Sequence, residues 1–221
     1  MLQTTTVKFL TAIAKNNNKA WMDANRAQYL AAKEDFENLV TQLIDKIGAF
    51  DADVKPLLAK NCVFRMNRDV RFSKDKSPYK TNMGASFAKG GKKSIYAGYY
   101  FHCQPGNSFV GGGLWMPMPG DLQKLRQEID YNFHDFSKII NSKKFGTHYA
   151  GLNMGSEYSL TRPPKGYDDS NPAIAYIKLK SFVSMKPVSD AELNSKTLVK
   201  DIAAAFAALH PLVQFINQAL D

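Results

Sequence analysis

The stretch Tyr79-Lys80-Thr81-Asn82-Met83-Gly84-Ala85-Ser86-Phe87 alternates in character, with Tyr79, Thr81, Met83, Ala85 and Phe87 on one side of an extended chain and Lys80, Asn82, Gly84 and Ser86 on the other. A strand turns successive side chains to opposite faces, so this period of two predicts a half-buried strand and, with it, a sheet. Downstream, Lys89-Gly90-Gly91-Lys92-Lys93 reads as a hairpin turn by its glycines. Ile95 to Cys103 and Phe109 to Trp115 read as two more strands, joined at the turn signal Gln104-Pro105-Gly106-Asn107. Upstream, residues 62 to 72 alternate as well if they are extended: Cys62, Phe64, Met66, Val70 and Phe72 point one way, Val63, Arg65, Asn67, Asp69 and Arg71 the other. Four strands with short connections predict an antiparallel meander.

Helical periodicity flanks this region. Val7 to Ile13 reads as a short helix stopping at Asn16-Asn17-Asn18, and Trp21 begins a second piece. From about 25 to 49, Phe36, Leu39, Val40, Leu43, Ile44 and Ile47 keep the spacing of an amphipathic helix that covers a sheet, with Gly48 near its end. Leu122, Leu125, Ile129, Phe133, Phe136, Ile139 and Ile140 trace one face of a helix over about 120–140. Residues 141–170 keep no period and read as a loop, 171–179 as a short helix and 182–188 as a strand. Ser189 and Glu192 have capping-box spacing, and a last helix runs from about Ser195 to Leu220, kinked or restarted at Pro211. The expectation is one α+β domain over 1–221, in two layers, with N-terminal, central and C-terminal helices on the apolar face of an antiparallel sheet of four or more strands.

The basic charge is regional. The run from Arg65 to Lys80 holds six basic side chains and two carboxylates, and from Arg65 to Gly120 nine Lys or Arg face two Asp, an excess of seven out of the chain's net +9. Arg65, Arg68 and Arg71 recur at intervals of three, with Asp69 beside the second. Guanidinium forks match phosphate and carboxylate oxygens, so the pattern suits either an anion site or a network of ion pairs. On a straight strand Arg65 and Arg71 stand about 20 Å apart and cannot grip one phosphate. Arg68 would then point to the apolar face, which favours a bend there or a carboxylate partner. Tyr96, Tyr100 and His102 fall on the polar face, and Gly111-Gly112-Gly113 leaves one strand nearly bare.

Several chemistries are excluded. Gly90-Gly91-Lys92-Lys93 lacks the Ser or Thr directly after Gly-Lys that a phosphate loop needs, and Arg68-Asp69 has Lys74 where a kinase catalytic loop has Asn. His102, His134, His148 and His210 show no metal-ligand spacing, so neither metal nor cofactor is expected. Cys62 and Cys103, each in an apolar run, read as small core residues without a disulfide framework. With no signal peptide and no membrane-length apolar run, a soluble cytoplasmic protein is expected. If the chain catalyses, Asp69, Tyr79 and His102 are candidates to move a proton, together with Asp168-Asp169. The expected ligand contacts are Arg65, Arg68, Arg71, Lys76 and Lys80. The expected function is an anion-binding protein acting on a phosphorylated or nucleic-acid ligand, or else a non-catalytic nucleic-acid or protein interaction module using the same face.

The pattern Arg65-x-x-Arg68-Asp69-x-Arg71-Phe72-x-x-x-Lys76-x-x-Tyr79 resembles the signature of the bacterial domain-of-unknown-function family numbered 2461. The likeness extends to Asn16-Asn17, Trp21 and Tyr29 upstream, to Gly98-Tyr99-Tyr100 and Gly113, and to Pro164-Lys165-Gly166-Tyr167 with Leu179-Lys180 downstream. The resemblance implies no established activity. It implies that Lys165 and Tyr167 approach the arginine site as further ligand contacts.

Overall fold

A computed structural model describes residues 1–221. Three helices open the chain: α1 (Thr4–Lys15), α2 (Lys19–Ala24) and α3 (Arg26–Ile47). The asparagine run separates the first two, and Asn18 caps α2 by accepting from the Trp21 amide. A single turn, α4 (Ala59–Cys62), leads into the sheet strands β1 (Met83–Ala88), β2 (Gly98–Cys103) and β3 (Ser108–Leu114). After α5 (Pro119–Tyr131), α6 (Phe133–Ile140), α7 (Lys143–Gly146) and α8 (Ile174–Ile177) the chain returns to the sheet as β4 (Phe182–Val188). It ends with α9 (Asp190–Leu193) and α10 (Leu198–Leu220). The sheet is antiparallel throughout, in the order β1-β2-β3-β4.

The alternation at 83–87 sets the faces as expected. Met83, Ala85 and Phe87 are buried, and so are their partners Cys103, Phe101 and Tyr99. This face packs on α3 and α10: Phe36 stacks on Phe101 at 5.8 Å and Phe206 sits 5.2 Å from Tyr99. Helix α10 is long and apolar enough to cross a membrane by composition, and here eleven of its residues are buried against the sheet and neighbouring helices. Its Pro211 lies inside one continuous helix, neither ending nor restarting it. The Ser189–Glu192 capping box forms, and both cysteines are buried and free. Behind the sheet, the Tyr99 hydroxyl donates to Asp51 Oδ2 and meets His210 Nδ1, both at 2.8 Å, fixing the exit of α3 to α10 through β2.

Three expectations need correction. Residues 62–72 are not a strand: α4 uses Cys62, and beyond it only Val63 and Asn67 make bridges, to Ala85 and Tyr79. The sheet's fourth strand is therefore 182–188, brought in by a long excursion, and the meander itself has three strands. The 120–140 helix breaks at Asn132, which closes α5 and opens α6 with φ −115° and ψ 34°. The buried stripe continues across the break, which is why periodicity alone did not reveal it.

Candidate functional site

The basic run folds as a hairpin. The Arg68 amide donates to the Pro78 carbonyl (2.9 Å) and the Lys80 amide to that of Met66 (2.8 Å), leaving 69–77 as the loop. Asn17 clamps the stem: its amide donates to the Tyr79 carbonyl (2.8 Å) and its side-chain oxygen accepts from the Tyr79 amide (3.0 Å). Tyr79 packs its ring against the core, so its role here is anchoring.

At the loop the two carboxylates are taken up by the two arginines. Arg68 pairs with Asp75 and also donates to the Ser77 carbonyl (3.1 Å) and the Ser73 hydroxyl (3.3 Å). Hydrogen bonds from Ser77 and from Arg68 hold the Asp75 carboxyl down at about 2. Arg71 grips Asp69 with Nε (3.0 Å) and Nη2 (2.6 Å), holding that carboxyl below its ordinary range, which makes Asp69 a weak base. Lys76 Nζ donates to the Val70 carbonyl at 3.0 Å. The three arginines do not share one carboxylate: Arg68 pairs with Asp75, Arg71 with Asp69, and Arg65 with none. Arg68 is not buried on an apolar face, and Phe72, expected to be inward, is 96% exposed.

Arg65 and Lys80 differ from Arg68 and Arg71, because neither has a carboxylate within ion-pairing distance. Lys80 is half-buried over the Phe64 ring, its Nζ 5.3 Å from the centroid. Burial, and then the Arg65 charge, push its pKa down. Arg65 opens into a recess of about 760 Å³ between α3, α4, the 63–66 segment and the turn after β1. Lys92 builds this recess: its amide donates to the Asn61 carbonyl (3.0 Å) and its Nζ to the carbonyls of Lys60 (2.7 Å) and Val63 (2.6 Å). Gly91 lets the turn dock so closely, since at φ +88° a Cβ would stand 2.8 Å from the Asn61 carbonyl oxygen. Five cations and one carboxylate line the recess; Glu37 pairs only with Lys33, at 3.6 Å, leaving Lys60, Arg65 and Lys93 unpaired.

Phe64 is shared with a second cavity, a trench of about 570 Å³ on the sheet face that no helix covers. Its floor is glycine: Gly98 pairs with Gly113, and Gly111 lies opposite Tyr100. At φ +119° a Cβ on Gly113 would come within 1.9 Å of the Phe182 carbonyl oxygen, so only glycine permits the β3–β4 pairing there. Tyr100, His102 and Phe109 form one end of the trench, with His102 stacked on Phe109 at 4.7 Å. The Tyr100 hydroxyl reaches His102 Nδ1 (3.2 Å), and His102 Nε2 reaches Gln104 Oε1 (3.0 Å), whose amide donates to Thr81 (3.2 Å). This chain suits a neutral imidazole with its proton on Nε2. Burial raises the Tyr100 pKa and lowers that of His102, and both shifts oppose proton transfer from the phenol to the imidazole.

The residues named from sequence therefore divide. Arg65 lines the recess and His102 the trench end; Lys80 lines neither and lies behind the Phe64 ring that both share; Arg68, Arg71, Lys76 and Asp69 are engaged within the loop. Lys165 is exposed, Tyr167 lies beside Arg126, Asp130 and Tyr131 of α5, and neither lines the recess or the trench. Lys60 and Lys93 were missed, because isolated lysines in α4 and in a turn carry no pattern until Lys92 draws those segments together. Against known proteins, a family model described as "Conserved hypothetical protein (DUF2461)" matches residues 5–215. No curated protein and no solved structure matches the chain.

Proposed function

Taking as premise that the chain belongs to the DUF2461 family of conserved hypothetical proteins, we propose that it binds a phosphate-bearing ligand, with the anion in the recess between α3 and α4. The observation that carries this reading is the convergence of Lys60, Arg65 and Lys93 from three separate segments on one cavity, none of them with a carboxylate partner. Unpaired cations gathered in a concave wall concentrate the positive field there and attract a multivalent anion. Half-buried Lys80, one Phe64 ring away, gains from an incoming negative charge because its own charge is now disfavoured by burial and by Arg65.

The test is calorimetric titration with inorganic pyrophosphate. Charge-assisted hydrogen bonds are worth about 1.5–3 kcal/mol, so Arg65→Gln and Lys93→Gln should each weaken binding about tenfold or more. Arg71→Gln, which removes a charge already held by Asp69, should leave it unchanged. Equal losses for Arg65→Gln and Arg71→Gln would mean that bulk charge alone attracts the anion, and no binding by the unaltered protein would end the proposal.

A second reading, a module for single-stranded nucleic acid, draws support from Tyr100 and Phe109, neighbours at 5.8 Å on the uncovered face. Aromatic platforms on open sheets stack bases. That reading requires affinity for an oligonucleotide to fall steeply and linearly on a log–log plot against salt.

A further inference from the structure

We infer that the ligand is a single-chain phosphorylated amphiphile, an alkyl or isoprenyl phosphate whose head occupies the recess and whose chain lies in the trench. The inference rests on the phosphate reading above and adds what the other end of the molecule must be. The two cavities share Phe64 and Lys92, so one ligand can cross from a strongly basic chamber into an apolar one without leaving the protein surface.

The trench is built for an apolar occupant. Of ten large hydrophobic side chains left exposed on the whole molecule, four ring its mouth: Ile95 (57%), Trp115 (58%), Met116 (54%) and Met118 (69%). Such a concentration at one concavity marks a binding surface. Met116 is also the one non-glycine residue with positive φ, at 44°, held there by its amide's bond to the Ser181 hydroxyl (2.9 Å). Backbone strain of this kind persists where the surroundings impose it, and it gathers at ligand sites. Methionines at the wall suit a flexible chain, since they repack around irregular shapes.

A nucleobase fits less well. It needs several directed donors and acceptors for its edge, and most polar groups at the trench are already engaged: His102 by Tyr100 and Gln104, Ser94 by the Tyr96 amide, and Lys92 by two carbonyls, leaving the Asp121 carboxylate and the Ser86 hydroxyl. An alkyl chain asks for none. It needs only a bare floor, which Gly98, Gly111 and Gly113 provide.

The test is calorimetry on the intact chain with butyl, hexyl, octyl and decyl phosphate, each below its micelle concentration, beside inorganic phosphate, pyrophosphate, adenosine monophosphate and octyl glucoside. Affinity should rise about fourfold per added methylene until the trench is filled. Ile95→Glu and Met118→Glu, both on exposed side chains, should abolish that chain-length dependence while leaving pyrophosphate binding intact. Equal affinity for all alkyl phosphates, with pyrophosphate still bound, overturns the amphiphile and spares the phosphate site. Binding of octyl glucoside as tight as octyl phosphate, or of adenosine monophosphate tighter than octyl phosphate, overturns it too. Failure of every phosphate, pyrophosphate included, overturns the phosphate reading beneath it.

Discussion

Lys80→Met and Arg68→Met should separate the site from the scaffold that carries it. Lys80 has no ion-pair partner, and its ammonium stands 5.3 Å over the Phe64 ring. Methionine keeps the apolar stem, so the substitution removes a cation–π contact worth about 0.5–1 kcal/mol. It also removes a half-buried charge that Arg65 disfavours, and the two effects offset each other. For a domain of this size 1 kcal/mol corresponds to about 2–4 °C, so the melting temperature should stay within about 2 °C of the parent. Pyrophosphate affinity should fall about tenfold. Arg68→Met is the converse: it orphans the part-buried Ser77 carbonyl, worth about 1 kcal/mol, and loosens the loop that Asp75 and Arg68 close. Its melting temperature should drop by about 2–4 °C while affinity changes less than twofold. Differential scanning fluorimetry and titration calorimetry on the same preparations read both quantities. Lost affinity in Arg68→Met with full affinity in Lys80→Met would refute the division of the basic run drawn here.

Gly113→Ala should cost about 2–4 kcal/mol in urea unfolding, through a forbidden φ and a Cβ 1.9 Å from the Phe182 carbonyl oxygen; an unchanged midpoint would show that β3 can shift to admit it. Phe72→Ser should leave stability within about 0.5 kcal/mol, because a ring 96% exposed has little burial to lose, and a larger drop would mean that the ring is covered in solution. His102, His148 and His210 all have pKa values lowered by burial. The unfolded chain thus binds more protons than the folded one below its ordinary histidine pKa, so stability holds above about pH 6.5 and declines as pH falls through that value. Urea midpoints between pH 7.5 and 5 measure it, and a rise on acidification would reverse the sign.

The layers of the fold were legible because burial imposes a period. The alternation from Met83 to Phe87 and the stripe from Phe36 to Ile47 each answer to a single apolar surface, and both came out where the pattern put them. The segment 62–72 misled because its alternation is real but its partners are not. Only Val63 meets a strand, at Ala85, and Asn67 bridges to Tyr79 outside the sheet; beyond them Arg68 and Asp75 close a loop that no local pattern announces. The site was half legible for the same reason. Charge density pointed to the correct neighbourhood, but whether a given guanidinium is free depends on carboxylates that fold back on it, as Asp69 does on Arg71 and fails to do on Arg65. The recess itself is assembled from segments that Lys92 draws together through its carbonyl partners, a contact that spacing in the sequence does not encode.

The route of the chain between β3 and β4 has a consequence for how the molecule is made. Strands β1 to β3 meet through the short connections 89–97 and 104–107, whereas β4 reaches Gly111–Gly113 only after residues 115–181 have been traversed. Closing a loop of that length is slow relative to hairpin formation. The meander is thus expected to form first and the last strand to zip on afterwards, bringing Val183 and Met185 to the trench wall. In a refolding experiment, protection of the Ser184 and Lys186 amides, which face β3, against hydrogen exchange should lag behind that of Tyr100 and Phe101, so that the three-stranded sheet exists before the trench has its far side.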